Sequence, residues 1–178
     1  MTKEVIRENF KKIRKTLSTE RRKKASMLAF SFLKTKTKKY KNILSFASKK
    51  NEIDIWNFNN FLEKNGRLFL TKINHGNLLI YKISDIKKDL ILNKHFYLLE
   101  PNPNRCEIVS LDKIDLILVP GISFDRKNHR LGYGKGYYDK LLTEKKIVSF
   151  GIGFMEQFSK KAFLIKENDI SLDKVYLF

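Results

Sequence analysis

The chain has 178 residues, a net charge of +18 and 42% hydrophobic residues, among them 14 phenylalanines. This length falls in the single-domain range, and the apolar content is enough for a core, which excludes global disorder. No apolar run is long enough for a membrane span or resembles a secretory leader. The single cysteine, Cys106, excludes an intramolecular disulfide. Cys106 is interpreted as an inert apolar residue. A chain with a single cysteine suits a reducing compartment, so we expect a cytoplasmic protein.

Basic residues are concentrated near the N-terminus, where residues 1–50 hold 17 Lys and Arg against three Glu. Such a segment is typical of a nucleic-acid-binding module, which is one alternative for this chain. However, Lys outnumbers Arg by 29 to 8, whereas base recognition and bidentate phosphate contacts favour Arg. Stacking aromatics are not interleaved with the lysines either. We therefore interpret most of the charge as solvated helix faces.

Two amphipathic helices are predicted at the N-terminus. The apolar residues of the first recur at helical spacing, at Val5, Ile6, Phe10, Ile13 and Leu17. Ser18 or Thr19 is expected to cap the second helix. The apolar side of the second helix is predicted to include Met27, Leu28, Phe30, Phe32 and Leu33. Lysines occupy the polar positions between these residues, which supports the interpretation of the charge as solvated surface.

The middle of the chain alternates short apolar runs with one helical segment. Strands are predicted at residues 42–47, 67–71 and 78–83. A helix is predicted over residues 54–64, ending before Gly66, and a turn at residues 75–77. Pro101 and Pro103 place residues 100–106 in a loop.

The last third of the chain continues this alternation. The apolar run at residues 114–119 predicts a buried strand, which is followed by a polar, glycine-rich loop and a helix from Tyr137. A strand at residues 147–151, a helix at 157–164 and a strand at 175–178 are predicted after it. Helices alternating with short strands predict one α/β domain over residues 1–178, in three layers, with a mainly parallel central sheet flanked by helices.

The glycine-rich loop is the strongest candidate for a binding site. Its three glycines alternate with other residues, at Gly132, Gly134 and Gly136. A strand, a glycine loop and a helix in succession offer backbone N–H groups to phosphate, and Arg130 and Lys135 suit the oxygens of a triphosphate. Asp139 is suited to hold Mg²⁺. The spacing is neither a Walker A nor a dinucleotide fingerprint, and a tight turn in which Asp139 completes a helix N-terminus is an equal alternative.

A longer string of residues distinguishes between these alternatives. Residues 120–125 (PGISFD) followed by residues 130–139 (RLGYGKGYYD) closely resemble the signature of the 5-formyltetrahydrofolate cyclo-ligases, also called methenyltetrahydrofolate synthetases. Three shorter segments resemble that family in the same order along the chain. They are the Lys-x-x-x-Arg element at residues 3–7, Glu-Ile-Asp at 52–54 and Glu-Asn-Asp at 167–169. The total length is also similar to that of one family member.

The resemblance implies an enzyme that converts 5-formyltetrahydrofolate to 5,10-methenyltetrahydrofolate. ATP would phosphorylate the formyl oxygen, N-10 would attack the activated carbon, and ADP and phosphate would be released. The implied cofactor is Mg²⁺, with ATP as co-substrate and a folate, possibly polyglutamylated, as substrate. A monomer that binds neither nucleic acid nor membrane is expected. A related sugar-phosphate or CoA-handling α/β enzyme is the second alternative.

The resemblance also implies which residues form the site. The catalytic residues are expected to be Lys135 and Arg130. ATP contacts are expected from Lys3, Glu4, Val5, Ile6, Arg7, Arg130, Leu131, Gly132, Tyr133, Gly134, Lys135, Gly136, Tyr137 and Tyr138. Folate contacts are expected from Ala47, Glu52, Tyr133, Gly134, Lys135, Gly136 and Tyr137. The metal is expected to be bound by Asp139 and Asp169.

Glu52 is the main candidate for recognition of the pterin, because a carboxylate can accept hydrogen bonds from paired N–H donors. Asp54, two residues later, is expected to cap the following helix. Phe96 corresponds to an aromatic residue that the family often places near the folate. One departure from the family pattern is Thr71, where members commonly have proline, and this departure weakens any phosphate role for Lys72.

Overall fold

A computed structural model describes residues 2–94, 97–164 and 169–178. The helices in these ranges are α1 (Lys3–Thr16), α2 (Thr19–Lys36), α3 (Trp56–Lys64), α4 (Ile86–Asp89) and α5 (Tyr137–Glu144). The strands are β1 (Ile43–Leu44), β2 (Leu68–Asn74), β3 (Asn77–Lys82), β4 (Leu90–Asn93), β5 (Leu98–Pro101), β6 (Ile108–Val109), β7 (Leu116–Pro120), β8 (Ser123–Asp125), β9 (Arg130–Leu131), β10 (Val148–Gly153), β11 (Phe158–Ser159) and β12 (Lys174–Leu177). No helix in these ranges is long and apolar enough to cross a bilayer.

The main sheet has seven strands in the order β12-β10-β7-β1-β2-β3-β6. The first five are parallel to their neighbours, whereas β3 pairs antiparallel with β2 and with β6. The predicted α/β class with a mainly parallel central sheet is therefore confirmed.

Alternating residues of the central strands supply two cores. Leu116 and Leu118 of β7 pack with α2 and α3, whereas Ile117 and Val119 pack with α5 on the opposite face. Successive side chains of a strand point to opposite faces, so an uninterrupted apolar run serves both helical layers. Each of these fully buried side chains contributes about 1.5–3 kcal/mol relative to leaving it exposed. The result is the expected three-layer arrangement.

Local signals located several elements correctly. The Ser18 hydroxyl accepts a hydrogen bond from the Arg21 amide at 3.1 Å and caps α2. Asp54 accepts one from the Trp56 amide at 2.8 Å, at the start of α3. His75 and Gly76 have φ values of 44° and 81° and form the turn between β2 and β3. Two left-handed residues of this kind are typical of a tight two-residue hairpin.

The buried face of α2 differs from the prediction. Met27 and Leu28 are 68% and 50% exposed, whereas Ala25 and Ala29 are fully buried together with Leu33. Small alanines allow the helix to approach the sheet closely, so Met27 and Leu28 lie outside the contact. The other three predicted residues, Phe30, Phe32 and Leu33, do pack on the core. On α1, Val5 and Ile13 are largely exposed as well, and the buried residue is Arg14.

The predicted helix at residues 157–164 is wrong. A short 3-10 turn ends at Gln157, and β11 follows it directly. The buried Gln157 amide donates to the carbonyls of Gly121 and Ile122, at 2.7 and 3.0 Å. These bonds hold the segment extended beside β8, with which β11 pairs.

Short strands were also missed or misjudged in length. The predicted strand 42–47 is ordered as a strand only at Ile43–Leu44, and the predicted strand 67–71 continues to Asn74. Glu100 and Pro101 lie in β5 rather than in a loop, in a hairpin with β4 that packs against β2. The polar loop after β7 contains a second small hairpin, formed by β8 and β9, which leads into the glycine-rich segment.

Candidate active site

A cleft of about 550 Å³ lies at the carboxyl ends of β1, β2 and β7, the common position for ligands in open α/β sheets. Ala47 follows β1, Ile73 lies near the end of β2, and Pro120 ends β7. The N-terminal part of α1, the glycine-rich loop and the β4–β5 hairpin form the remaining walls. Segments far apart in the sequence therefore meet at one site.

Most of the predicted site residues line this cleft. They are Lys3, Glu4, Arg7, Ala47, Glu52, Arg130, Leu131, Gly132, Tyr133, Gly134, Lys135, Gly136, Tyr137, Tyr138, Asp139 and Asp169. Val5 and Ile6 do not line it, because Lys3, Glu4 and Arg7 share one face of α1 and Val5 and Ile6 lie on another. Phe96, Glu167 and Asn168 lie outside the described residues.

The glycine loop is held against α1 by Arg7. The Arg7 Nε atom donates to the carbonyl of Gly132 at 2.8 Å, and its Nη1 atom donates to Glu4 at 3.0 Å. Gly134 has a φ of 98°, with the Arg7 guanidinium 3.6 Å from the place where a Cβ would lie. Gly136 has a φ of 68° and precedes the first residue of α5. Glycine is favoured at both positions because other residues are strained in this region.

The Arg130 side chain is buried, and one of its N–H donors has no acceptor among the described residues. Its Nη2 atom bonds Asp139 Oδ2 at 2.8 Å, and its guanidinium lies 5.4 Å from the centroid of the Tyr138 ring. The side chain is 7% exposed, and Nε has no partner among the described residues. A buried N–H of this kind is costly to leave unpaired, so the position favours an additional acceptor such as a phosphate oxygen.

Each of the two candidate metal ligands is paired with a cation. Asp139 is bonded to Arg130, and Asp169 is bonded to the Lys3 ammonium across the cleft. Within the described ranges, no group of three or more acidic, histidine or cysteine side chains is arranged to hold a metal ion. A cation at this site would thus require ligand atoms from a bound molecule in addition to these carboxylates.

Glu52 also lines the cleft, and both of its carboxylate oxygens are engaged. It is 8% exposed, and it accepts hydrogen bonds from the Lys49 amide at 3.0 Å and the Tyr133 hydroxyl at 3.3 Å. The Tyr133 ring is half exposed, but its hydroxyl lies between Glu52 and Arg14. Burial of this hydroxyl, together with the Glu52 charge, raises the pKa of Tyr133. The phenol therefore stays protonated near neutral pH.

Tyr137 and Tyr138 both line the cleft at the start of α5. Tyr138 also packs on the core beneath α5, and burial raises its pKa well above the usual range for a phenol. Thr71 lines the same cleft. Lys72 instead pairs with the buried Glu100, at 3.5 Å. The Thr71 departure thus places a hydroxyl in the cleft, and Lys72 is directed toward a carboxylate.

The sequence did not reveal three residues of this region, namely Arg14, Lys49 and Glu100. Arg14 follows Arg7 by seven positions on α1, and this helical spacing was the available signal. Lys49 and Glu100 line the cleft through chain folding that no local pattern indicates.

Comparisons with known proteins test the family resemblance that was seen in the sequence. A model of the 5-formyltetrahydrofolate cyclo-ligase family matches residues 1–177. The chain is 31% identical to the 5-formyltetrahydrofolate cyclo-ligase of Mycoplasma pneumoniae, over 76% of this chain and 71% of that protein. It is 34% identical to the Saccharomyces cerevisiae enzyme of the same name, over 58% of this chain and 52%, about half, of that protein.

Solved structures give the same result. The structure of a 5,10-methenyltetrahydrofolate synthetase from Aquifex aeolicus superposes with a TM-score of 0.87 at 30% identity, covering 98% of this chain and 89% of that one. A second, from Mycoplasma pneumoniae, gives a TM-score of 0.75 at 26% identity, covering 98% of each chain. Since the family match extends over nearly all residues, the resemblance seen in the sequence is confirmed, and the chain belongs to the 5-formyltetrahydrofolate cyclo-ligase family of enzymes.

Proposed function

We propose that this chain converts 5-formyltetrahydrofolate and ATP to 5,10-methenyltetrahydrofolate, ADP and phosphate. In this reaction the formyl oxygen attacks the γ-phosphorus of ATP, and ADP leaves. N-10 then attacks the activated carbon, and the C–O bond breaks to release phosphate. The observation that carries the proposal is the convergence of Lys3 and Arg7 from α1 with Arg130 and Lys135 from the glycine loop, in one cleft that also contains Glu52.

The cationic side of the cleft is suited to the nucleotide. Phosphoryl transfer depends mainly on positioning and on stabilising charge, with little covalent work for the protein. Arg130, with its unpaired Nε, and the exposed Lys135 supply donors at the glycine loop. Arg7 supports the backbone of that loop through Gly132, so its amides are presented to the phosphates in a fixed arrangement. Lys3 adds a fourth positive charge.

The other side of the cleft is suited to the folate. The Glu52 carboxylate offers acceptors for the N–H groups of the pterin, while its own contacts to Lys49 and Tyr133 fix its orientation. Tyr133 and Tyr137 offer ring faces for packing against the pterin or aminobenzoyl group. Ala47, beside them, is small enough to leave room for a ring.

We further propose that Asp139 and Asp169 hold Mg²⁺ together with the bound nucleotide. Two carboxylates on one cleft match the preference of this ion for a few protein oxygens completed by phosphate oxygens and water. When bound, Mg²⁺ would neutralise charge on the phosphates. Arg130 and Lys3, which pair with these carboxylates in the structure, would then have donors available for phosphate.

The decisive experiment combines purified protein with 5-formyltetrahydrofolate, Mg²⁺ and ATP, and follows the absorbance of the methenyl product. We expect Lys135→Ala and Asp139→Ala each to reduce turnover at least tenfold while circular dichroism remains that of the folded protein. Lys127→Ala, an exposed lysine of the preceding loop, is the matched control and is expected to retain full activity. The absence of ATP-dependent product in the unmodified protein would refute the proposal. Normal turnover in either cleft variant would remove that residue from the mechanism.

We also propose that residues 1–178 act as one domain, which the family match over residues 1–177 and the domain-sized length support. We further propose that the protein is a monomer in the cytoplasm. Light scattering coupled to gel filtration measures the oligomeric state directly. Comparison of KM values for mono- and polyglutamylated folate would show whether the positive surface contributes to substrate choice.

A further inference from the structure

Arg14, in the last turn of α1, is an unusual residue to find buried on a surface helix. It is 2% exposed, although the rest of α1 presents its charged side chains to solvent or to the cleft. A buried guanidinium is costly unless its donors are satisfied, and Arg14 makes no direct ion pair in the described part of the chain. Its side-chain partners therefore indicate what this buried charge does.

Both side-chain partners of Arg14 belong to the neighbourhood of the cleft. Its Nη2 atom donates to the Tyr133 hydroxyl at 2.8 Å, and its Nη1 atom donates to the carbonyl of Gly121 at 3.3 Å. Gly121 follows β7, and Tyr133 lies between the first two glycines of the loop. One guanidinium thus connects the end of a central strand to the glycine-rich loop.

The hydroxyl of Tyr133 is hydrogen-bonded to Glu52 as well as to Arg14. Because arginine has no acceptor, the Tyr133 oxygen must accept from Arg14, and its single proton is then free to be donated to Glu52 Oε1, 3.3 Å away. The Lys49 amide holds the other oxygen of Glu52. The carboxylate is consequently fixed at both ends, with Arg14 as the positive end of the chain of bonds.

We propose that Arg14 is a positioning residue for the folate, acting through Tyr133 to fix the Glu52 carboxylate. The inference rests on the proposed role of Glu52 toward the pterin. Arg14 does not line the cleft, so its effect on the substrate is indirect. Among the described residues Arg14 makes no direct hydrogen bond to Arg130 or Lys135, so we expect its loss to affect the folate more than ATP.

The test compares KM for 5-formyltetrahydrofolate with KM for ATP in Arg14→Met, Arg14→Lys, Tyr133→Phe and the Arg14→Met/Tyr133→Phe double variant. We expect Arg14→Met and Tyr133→Phe each to raise the folate KM about tenfold, as expected for one hydrogen bond in a charged network. The ATP KM should stay within about twofold. Arg14→Lys should recover part of the loss, because an ammonium can bond Tyr133 but cannot also reach Gly121 in the same fork geometry. Lys12→Met, on the exposed face of α1, is the matched control.

The double variant should be no worse than the poorer single variant, because both changes break the same chain of bonds. Equal rises in both KM values, additive losses, or a normal folate KM in Tyr133→Phe would overturn the inference. If Arg14→Met does not fold, the folate and ATP KM values of Tyr133→Phe and Arg14→Lys are enough to test the inference.

Calorimetry separates this inference from the proposed function. A wild-type protein that does not bind 5-formyltetrahydrofolate overturns both. If the wild type binds the folate and the Arg14 and Tyr133 variants bind it equally well, only the positioning role is lost. If the wild type binds the folate without turning it over, the proposed reaction fails, and reduced binding by the variants still supports the role of Arg14.

Discussion

Asp125 organises the polar loop that leads to Arg130. Its buried carboxylate accepts hydrogen bonds from the backbone amides of Lys127, His129 and Phe163, each at 2.9 Å. The His129 ring nitrogen Nδ1 lies 3.1 Å from its second oxygen. A single side chain thereby closes the β8–β9 turn and joins it to the segment after β11. The contact with Phe163 joins residues 38 positions apart, so no local pattern in the sequence could indicate it.

At this residue we predict that Asp125→Asn lowers the free energy of unfolding by about 1.5–3 kcal/mol at pH 7, because an amide loses the charged acceptor. Burial tends to raise the pKa of Asp125, but the hydrogen bonds from Phe163 and His129 outweigh it and lower that pKa below its usual value. The carboxylate therefore stabilises the folded state at pH values above about 4, and this contribution is lost as pH falls through the depressed folded pKa.

Urea denaturation of both proteins at a series of pH values measures this dependence. The difference between them should be constant near neutrality and should shrink only in strong acid. A difference that persists unchanged to pH 2 would show that the charge of Asp125 does not contribute.

Among the elements, the β4–β5 hairpin depends on one buried acid. Glu100 is fully buried and bonds Asn93 of β4 at 2.8 Å, with the Lys72 ammonium of β2 at 3.5 Å. The Ile73 amide of β2 is also within 3.5 Å. The hairpin contributes Leu98 and Glu100 to the cleft wall, so its attachment to the main sheet shapes the site.

We predict that Glu100→Ala destabilises the fold by about 2 kcal/mol, since it removes the buried carboxylate that accepts from the Asn93 amide and pairs with Lys72. The largest increase in amide hydrogen exchange should occur in β4 and β5, and KM for the folate should rise. Glu107→Ala, an exposed acid just beyond the hairpin, is the control. Unchanged exchange in the hairpin would contradict this account of how the wall is held.

The elements also show how far the sequence was informative. The periodicity of α1, the apolar run of β7 and the punctuation around α5 are local properties, and they predicted these elements and the glycine loop correctly. The short strands β4, β5, β8 and β9 carry too few residues for a period to show. The buried face of α2 was misjudged because large apolar residues were favoured over Ala25 and Ala29, whose burial depends on how closely the helix approaches the sheet.

The same distinction between local and long-range information applies to the residues of the candidate site. Residues within the continuous glycine-loop motif could be named because their order along the chain carries the chemistry. Arg14 and Glu100 could not, because a buried charged side chain becomes informative only when its partners are known.

For the whole molecule, the net charge of +18 is the dominant electrostatic property. Exposed charges act on anionic ligands at long range and are screened by salt. We predict that raising NaCl from about 50 to about 300 mM increases KM for ATP severalfold with little change in kcat.

A variant that carries Lys23→Glu and Lys24→Glu tests the origin of this effect, because both lysines are exposed on α2 and outside the cleft. It should show a shallower salt dependence with a normal kcat. A salt dependence equal to that of the wild type would assign the effect to the cleft cations alone.

The bond between Lys3 and Asp169 joins residues 166 positions apart. If the proposed nucleotide site requires both residues, it cannot form on the ribosome until Asp169 has emerged, nor in a partly folded chain whose first helix has not docked. Binding of the ligand would therefore indicate that the chain has finished folding. In the cell, the supply of substrate would favour survival of the finished molecule over proteolysis of its intermediates.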